Sequence, residues 1–365
     1  MNNNFSVLIK NKLNKFNKII LVESDKSISH RALLIASQCI GSSTLNNILE
    51  SQDTINTIKC LKKLGVKILK KNQKYIVYGN GLSSFKQPKD GTLYAGNSGT
   101  LARMLIALLA THSNLKVKLI GDDSLNKRDM KRIIEPLSKI GCNFYPLNKS
   151  KLPLEIEGTG MPLAQKHIES IGSAQVKSAI LLAALNTPGI TILEEKKISR
   201  NHTENLLSSV GAGIKISKLK KGNLISLKGQ KNLFGFNLTI PGDPSSAAPF
   251  IILTLLTPES KLQIKNINCN STRIGFIKIL QKMNANIKIK NIKKKSGEMV
   301  GDIYVKSINL KSINCPKELV PSAIDEFPLL FIAASLVNGV SKFTGIHELR
   351  HKEADRIKNM EIGLN

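Results

Sequence analysis

One phrase recurs along the chain and limits what it can fold into: a helical Leu-x-x-apolar ending, a Gly or Asn, then alternating strand-like residues. It occurs as LKKLGVKI (61–68), LSKIGCNF (137–144), LSSVGAGI (207–214) and LQKMNANI (280–287). The stop residues Gly65, Gly141, Gly211 and Asn284 lie 76, 70 and 73 positions apart. Gly and Asn take the left-handed conformation just past a helix end at least cost, so each phrase predicts a helix stopping and a strand starting. Such phrases are common in any α/β protein. The near-constant spacing is what points to a chain of repeated supersecondary units.

A fifth unit starts and does not finish. HKEADRIKNMEIGLN has helical periodicity through Ile357, Met360 and Leu364, and the sequence ends at Asn365 without the stop phrase and strand. The expectation is a cut last unit that leaves apolar surface uncovered.

Length and composition set the outer bounds. At about 150 residues per domain, 365 residues make two to three domains with ample core and no need of disulfide staples. The longest apolar runs, around Met104–Ala110 and Ala247–Leu256, are shorter than the roughly 18 residues of a membrane helix and predict buried core helices. The opening MNNNFSVLIKNK has no secretory pattern. Cys39, Cys60, Cys142, Cys269 and Cys315 lie far apart with no CxxC pair, which argues against a disulfide framework or a zinc ribbon and for the reducing cytoplasm.

A net charge of +28 is the usual footprint of a nucleic-acid binder. Only 8 of the 54 basic residues are Arg, however, against 33 Asn, 4% aromatics and no Trp. Arg forks interleaved with stacking platforms, which a nucleic-acid groove favours, are therefore missing. The Lys load is expected on solvated faces, and small anionic substrates remain compatible.

Polar clusters suited to anions punctuate the units. In SDKSISHRALL, Ser24 or Asp25 can cap a helix whose first turns offer Lys26, Ser27, Ser29 and Arg31. AGNSGTLARM sets Gly96, Asn97, Ser98, Gly99 and Thr100 before an apolar helix, with Arg103 one turn inside; it lacks the GKS or GKT ending of a nucleotide P-loop. GDDSLNKRDMKR is expected to hold Lys127, Arg128, Lys131 and Arg132 at a helix start, where the dipole disfavours cations unless an anion joins them. GSAQVKSA brings Ser173, Gln175 and Lys177, and SRNHTENLL brings Ser199, Arg200 and His202. PGDPSSAAP adds Asp243, Ser245 and Ser246, and IDEFP adds Asp325 and Glu326. HELRHKEADR packs His347, Glu348, Arg350, Lys352, Glu353, Asp355 and Arg356 into ten residues. Carboxylates among cations can serve as acid and base, because neighbouring charge and burial separate their pKa values. Each cluster taken alone reads equally well as a helix cap, a tight turn or a solvated face.

HELRH is also a formal match to the HExxH helix of a zinc peptidase. That motif needs both histidines on one face of a continuous helix. Here it follows Gly345, contains Arg350 and abuts a charge run in which a second cation would be repelled.

Eight pieces in order, DKSISHRALL, GNSGT with Arg103, GDDSLNKR, SAQVKSA, SRNHTE, PGDPSSAA, IDEFP and LRHKEADRI, resemble the EPSP synthase (3-phosphoshikimate 1-carboxyvinyltransferase) family of enolpyruvyl transferases, over essentially the whole chain from Lys26 to Leu364. The sister enzyme acting on UDP-N-acetylglucosamine normally carries a reactive cysteine in a loop matching that near Arg128, and none is there. The resemblance implies an α/β fold of two similar domains, an inside-out α/β barrel of βαβαββ-like units with the active site between them. The implied domains are 22–240, and 1–21 with 241–365, the latter incomplete. The implied reaction transfers the enolpyruvyl group of phosphoenolpyruvate to the 5-hydroxyl of shikimate 3-phosphate, by addition then elimination of phosphate, on the way to chorismate and the aromatic amino acids.

By matching positions, the resemblance implies Ser27, Arg31, Ser173, Gln175, Ser199, Asp325 and Lys352 as contacts of shikimate 3-phosphate. Lys26, Asn97, Gly99, Arg128 and Arg356 match the phosphoenolpyruvate side. Asp325 matches the base for the 5-hydroxyl, and Glu353 and Lys26 the groups that move protons at the enolpyruvyl carbon. No metal or organic cofactor is implied, and the partners are the two small substrates, with no nucleic acid, no membrane and a monomeric state. The chain departs from the family at Glu23-Ser24, usually Pro-Gly, at Asp129, usually Pro, and at Ala174, Ser in many members. It also ends before a DHR-containing motif and a late Lys, so weak or no activity is expected, with a protein that only binds shikimate 3-phosphate as the nearest alternative and a zinc peptidase as a remote one.

Overall fold

In the computed structural model, which describes residues 8, 10, 13–351 and 354–365, the chain opens with β1 (Asn17–Ile20). The first unit follows as α1 (Lys26–Ser37), β2 (Ile40–Asn46), α2 (Gln52–Lys63), β3 (Lys67–Lys71) and β4 (Lys74–Asn80). The second runs β5 (Thr92–Tyr94), α3 (Gly99–Leu109), β6 (Lys116–Ile120), α4 (Asp123–Asn126), α5 (Lys131–Lys139), β7 (Asn143–Tyr145) and β8 (Leu154–Glu157). The third runs β9 (Lys166–Glu169), α6 (Ala174–Asn186), β10 (Ile190–Glu195), α7 (His202–Ser209), β11 (Gly213–Lys218) and β12 (Asn223–Lys228). After β13 (Asn237–Thr239) comes a fourth: α8 (Pro244–Leu256), β14 (Lys261–Asn268), α9 (Gly275–Lys282), β15 (Asn286–Lys295) and β16 (Glu298–Lys306). The chain continues through α10 (Val320–Ala323), α11 (Phe327–Ser335), a 3-10 turn at His347–His351 and α12 (Arg356–Leu364).

The repeat is physical. Gly65, Gly141, Gly211 and Asn284 have φ of +88°, +108°, +81° and +73°. Each stop residue's N–H donates to the carbonyl three residues back, and the next N–H donates to the carbonyl five back, as in Gly65 to Lys62 and Val66 to Leu61. This is the Schellman arrangement, which satisfies carbonyls that a helix end would otherwise orphan. It ends α2, α5, α7 and α9 identically and turns the chain into β3, β7, β11 and β15.

Among the described residues four four-stranded sheets result, ordered β5-β6-β8-β7, β9-β10-β12-β11, β13-β2-β4-β3 and β1-β14-β16-β15. In every one the first strand pairs parallel to the second and the other pairings are antiparallel. The edge strands of two units are exchanged: β1, which precedes α1 in the chain, pairs with β14, and β13, which precedes α8, pairs with β2. The segments that carry the chain across lie side by side, bridged at Ser24 and Gly242.

Helices occupy the interior and sheets the outside. α3, apolar all round, is buried from Leu101 to Leu109 apart from Arg103, and it packs against α1 and α6. The strands alternate instead, as in β4 with Tyr75, Val77 and Gly79 inward, so one sheet face meets water. One apolar core spans residues between Ile28 and Ile240, and a second spans Ala247 to Leu349. Among the described residues no helix is long and apolar enough to cross a membrane.

Candidate active site

The start of α1 forms one wall. Asp25, not Ser24, is the N-cap, its carboxylate accepting from the Ile28 N–H at 2.9 Å. Lys26 occupies the first turn, its Nζ 3.4 Å from Asp53 Oδ2. One turn on, Arg31 is buried and splayed over three acceptors: Thr203 Oγ1 (2.8 Å), Ser178 Oγ (2.9 Å) and the Ser27 carbonyl (2.9 Å). Burial lowers its pKa to about 10, opposed by Asp25 and Glu204, so the guanidinium stays charged at neutral pH.

The loop into α3 forms the second wall. Ser98 caps the helix and Asn97 projects beside it, donating to Asp122 Oδ2 at 2.8 Å and accepting from Arg128. Arg103 reaches Gln175 Oε1 at 2.9 Å, and the amide of Gln175 returns to Thr100 Oγ1 at 3.0 Å. A Cβ on Gly99 would stand 2.7 Å from Arg103 Nη1 and 3.3 Å from Arg128 Nη1. Glycine there is what lets two guanidiniums crowd the backbone. The expected helix start at Lys127 and Arg128 is corrected: Lys127 is the C-cap of α4, where the dipole favours cations, and only Lys131 and Arg132 open a helix, α5.

The third wall comes from α6 and the segment before α7. Ser173 is the N-cap of α6, accepting from Val176 N–H at 3.4 Å. Ser199 donates its hydroxyl to Glu195 Oε1 at 2.7 Å. Lys177 differs from expectation. It is 0% exposed, and its ammonium is taken up by the buried carboxylates of Glu195 (2.7 Å) and Glu204 (2.8 Å) rather than left for a ligand.

Asp325, between α10 and α11, forms an ion pair with Arg200, just before α7, and another, at 3.4 Å, with Arg356 at the start of α12. A carboxylate and two cations from three separate segments thus meet at one junction, where anions can be held. Lys352 and Glu353 fall outside the described residues. HELRH is a five-residue 3-10 turn, and at three residues per turn positions four apart diverge by about 120°, so the peptidase geometry is not formed.

A buried charge network beneath the crossing segments was not anticipated from the sequence. Arg273 donates to Asp243 Oδ1 at 2.6 Å and to Ser245 Oγ at 2.7 Å, and its Nη1 lies 3.9 Å from Asp25 Oδ2. Burial pushes the Asp25 carboxyl up, but Arg273, His202 and the Ile28 and Asn268 donors outweigh it and hold the pKa below the usual carboxylate value. At Asp243 burial and the neighbouring Asp25 prevail over Arg273, so its pKa is raised. The Asp243 carboxylate also accepts from the Lys26 N–H at 3.2 Å, tying the network to the first wall.

Residues 10–365 match the family model described as EPSP synthase (3-phosphoshikimate 1-carboxyvinyltransferase). The 3-phosphoshikimate 1-carboxyvinyltransferase of Zymomonas mobilis is 41% identical over 345 residues, 94% of this chain and 76% of that protein. The Sulfurihydrogenibium sp. protein of the same name is 42% identical over 353 residues, 96% of this chain and 80% of that protein. Among solved structures, EPSP synthase from Acinetobacter baumannii superimposes with a TM-score of 0.85 at 37% identity, covering 96% of this chain and 78% of that one. The enolpyruvyl transferase NikO from Streptomyces tendae, at 10% identity and TM-score 0.68 over 89% of this chain and 74% of that one, shares the fold. With the repeated units, the exchanged edge strands and these similarities together, the chain belongs to the EPSP synthase family.

Proposed function

We propose that this chain transfers the enolpyruvyl group of phosphoenolpyruvate to the 5-hydroxyl of shikimate 3-phosphate and releases phosphate. The observation that carries the reading is the meeting of Arg200 from one body and Arg356 from the other on the carboxylate of Asp325. Two phosphates and a carboxylate must share such a site, and preorganised cations shielded from water stabilise the charge that develops as they react.

In this reading Ser27, Arg31, Ser173, Gln175, Ser199, Asp325 and Lys352 hold shikimate 3-phosphate, and Lys26, Asn97, Gly99, Arg128 and Arg356 hold phosphoenolpyruvate. Asp325 takes the 5-hydroxyl proton as the oxygen attacks the substituted enolpyruvyl carbon. Glu353 and Lys26 deliver a proton to the methylene carbon and remove one as phosphate leaves. Approach of the two bodies excludes water from the tetrahedral intermediate. The bodies correspond to residues 22–240, and to 1–21 with 241–365, a division supported by the two separate cores and the exchange of β1 and β13. The protein works as a monomer in the cytoplasm, where a reducing environment suits five unpaired, buried cysteines.

The test is phosphate release from the two substrates together. Turnover that needs both, and that Asp325→Asn removes, supports the reading. Binding of shikimate 3-phosphate without any phosphate release would leave a binding protein only.

A further inference from the structure

Lys177 is among the largest fully buried side chains of the described residues and takes no part in the proposed chemistry. Its ammonium donates to Glu195 Oε1 at 2.7 Å and to the Ser199 carbonyl at 3.3 Å, and lies 2.8 Å from Glu204 Oε1. The same Glu195 oxygen accepts from the Ser199 N–H at 2.8 Å and the Ser199 hydroxyl at 2.7 Å, while Asn223 donates to Oε2 at 3.0 Å. Every polar atom of Ser199 is therefore held by Lys177 or by the carboxylate that Lys177 pairs. Three elements meet on one ammonium: α6 through Lys177 itself, the end of β10 through Glu195, and α7 through Glu204.

Stability alone does not account for such a cluster. Removing an ammonium and two carboxylates from water is costly, and apolar side chains of similar volume commonly fill such a space as well or better. What the ions add is direction: short charge-assisted bonds fix the backbone and the hydroxyl of Ser199 at once. The adjoining Glu204 is felt by Arg31, so the cluster also links the two sides of the pocket.

We propose that Lys177 is a positioning residue for shikimate 3-phosphate, presenting Ser199 and the adjoining Arg200 to the ligand through the buried Lys177–Glu195 pair. This rests on the proposed function. Glu195 Oε1 keeps two donors, Lys177 and the Ser199 N–H, when the hydroxyl turns away. The Ser199 hydroxyl is thus free to rotate from Glu195 to a phosphate oxygen while the backbone stays fixed.

The test compares the unmodified chain with Lys177→Met/Glu195→Gln/Glu204→Gln, which removes the ions without stranding a charge. Calorimetric titration with shikimate 3-phosphate is paired with amide hydrogen exchange at Ser199 and with KM for each substrate. We expect the dissociation constant to rise at least tenfold and exchange at Ser199 to quicken by a similar factor, with KM for phosphoenolpyruvate within about threefold. Glu195→Asp, which keeps every charge of the cluster and draws the carboxylate back from Ser199, gives the same pattern and serves if the triple variant does not fold. A folded variant that binds shikimate 3-phosphate as tightly as the unmodified chain would falsify the inference alone. No binding by the unmodified chain overturns the proposed function and this inference together.

Discussion

Asp25 and Asp243 hold each other's crossing segments. The Asp25 N–H donates to the Pro241 carbonyl and the Asp243 N–H to the Glu23 carbonyl, both at 2.8 Å. Each is also the N-cap of the helix that follows it, α1 and α8, and Arg273 lies between their carboxylates. This reciprocal pair sits where the chain crosses between its two cores, so the crossing is ordered by side chains that also start α1 and α8.

Arg273→Leu removes the cation from two buried carboxylates and leaves them facing each other. We expect a loss of about 3–5 kcal/mol in unfolding free energy. Urea denaturation at neutral pH measures it, and a change below about 1 kcal/mol would show that Asp25 and Asp243 find other partners.

Gly99→Ala inserts a methyl 2.7 Å from Arg103 and 3.3 Å from Arg128, both ends of flexible side chains. The fold yields by moving guanidiniums rather than backbone, so stability is kept while the phosphoenolpyruvate side is displaced. kcat/KM for phosphoenolpyruvate should fall on the order of ten- to a hundredfold, with KM for shikimate 3-phosphate little changed. Equal losses for both substrates would assign Gly99 to general packing instead.

Asp325→Asn keeps shape and most hydrogen bonding and removes the proton acceptor of the proposed reaction. We expect kcat to drop about 10²–10⁴-fold. Titration with shikimate 3-phosphate should still show binding, and near-normal kcat would move the base to another residue.

Acid should weaken the fold before the carboxylates of lowered pKa titrate. Burial, with Lys26 and Arg31 nearby, lowers the His30 pKa from 6.5 to about 3, and burial lowers that of His112 to about 4. The unfolded chain takes up those protons below pH 6.5 and the folded chain does not, so stability present above that pH is lost as pH falls towards the folded values. Each histidine then costs roughly 1.4 kcal/mol per pH unit, or about 4 kcal/mol for the pair between pH 7 and 5. Below that, protonation of Asp25, Glu195 and Glu298, whose pKa values are lowered, continues the decline. Equal urea midpoints at pH 7 and 5 would rule this out, and His112→Asn should remove about half of the slope.

The sequence alone determined the repeat. A left-handed stop residue is a local requirement, so Gly65, Gly141, Gly211 and Asn284 marked four helix ends without reference to the rest of the chain. Caps at Asp25, Ser98, Ser173 and Asp243 were local too, each carboxylate or hydroxyl bonding within its own first turn. Which strand completes which sheet was not local: for β1 only the family resemblance grouped residues 1–21 with 241–365, and nothing near β13 signals its pairing with β2, since pairing is settled by the core each edge must cover. Only the tertiary structure decided that Lys177 turns inward and that Arg273 joins Asp25 to Asp243, contacts made across long separations. One signal of the second was present. Arg31, Arg103, Arg128, Arg200, Arg273 and Arg356 are six of only eight arginines in a chain otherwise basic through lysine. A rigid planar fork with donors diverging in fixed directions is what these junctions need, and a compact lysine ammonium lacks that geometry.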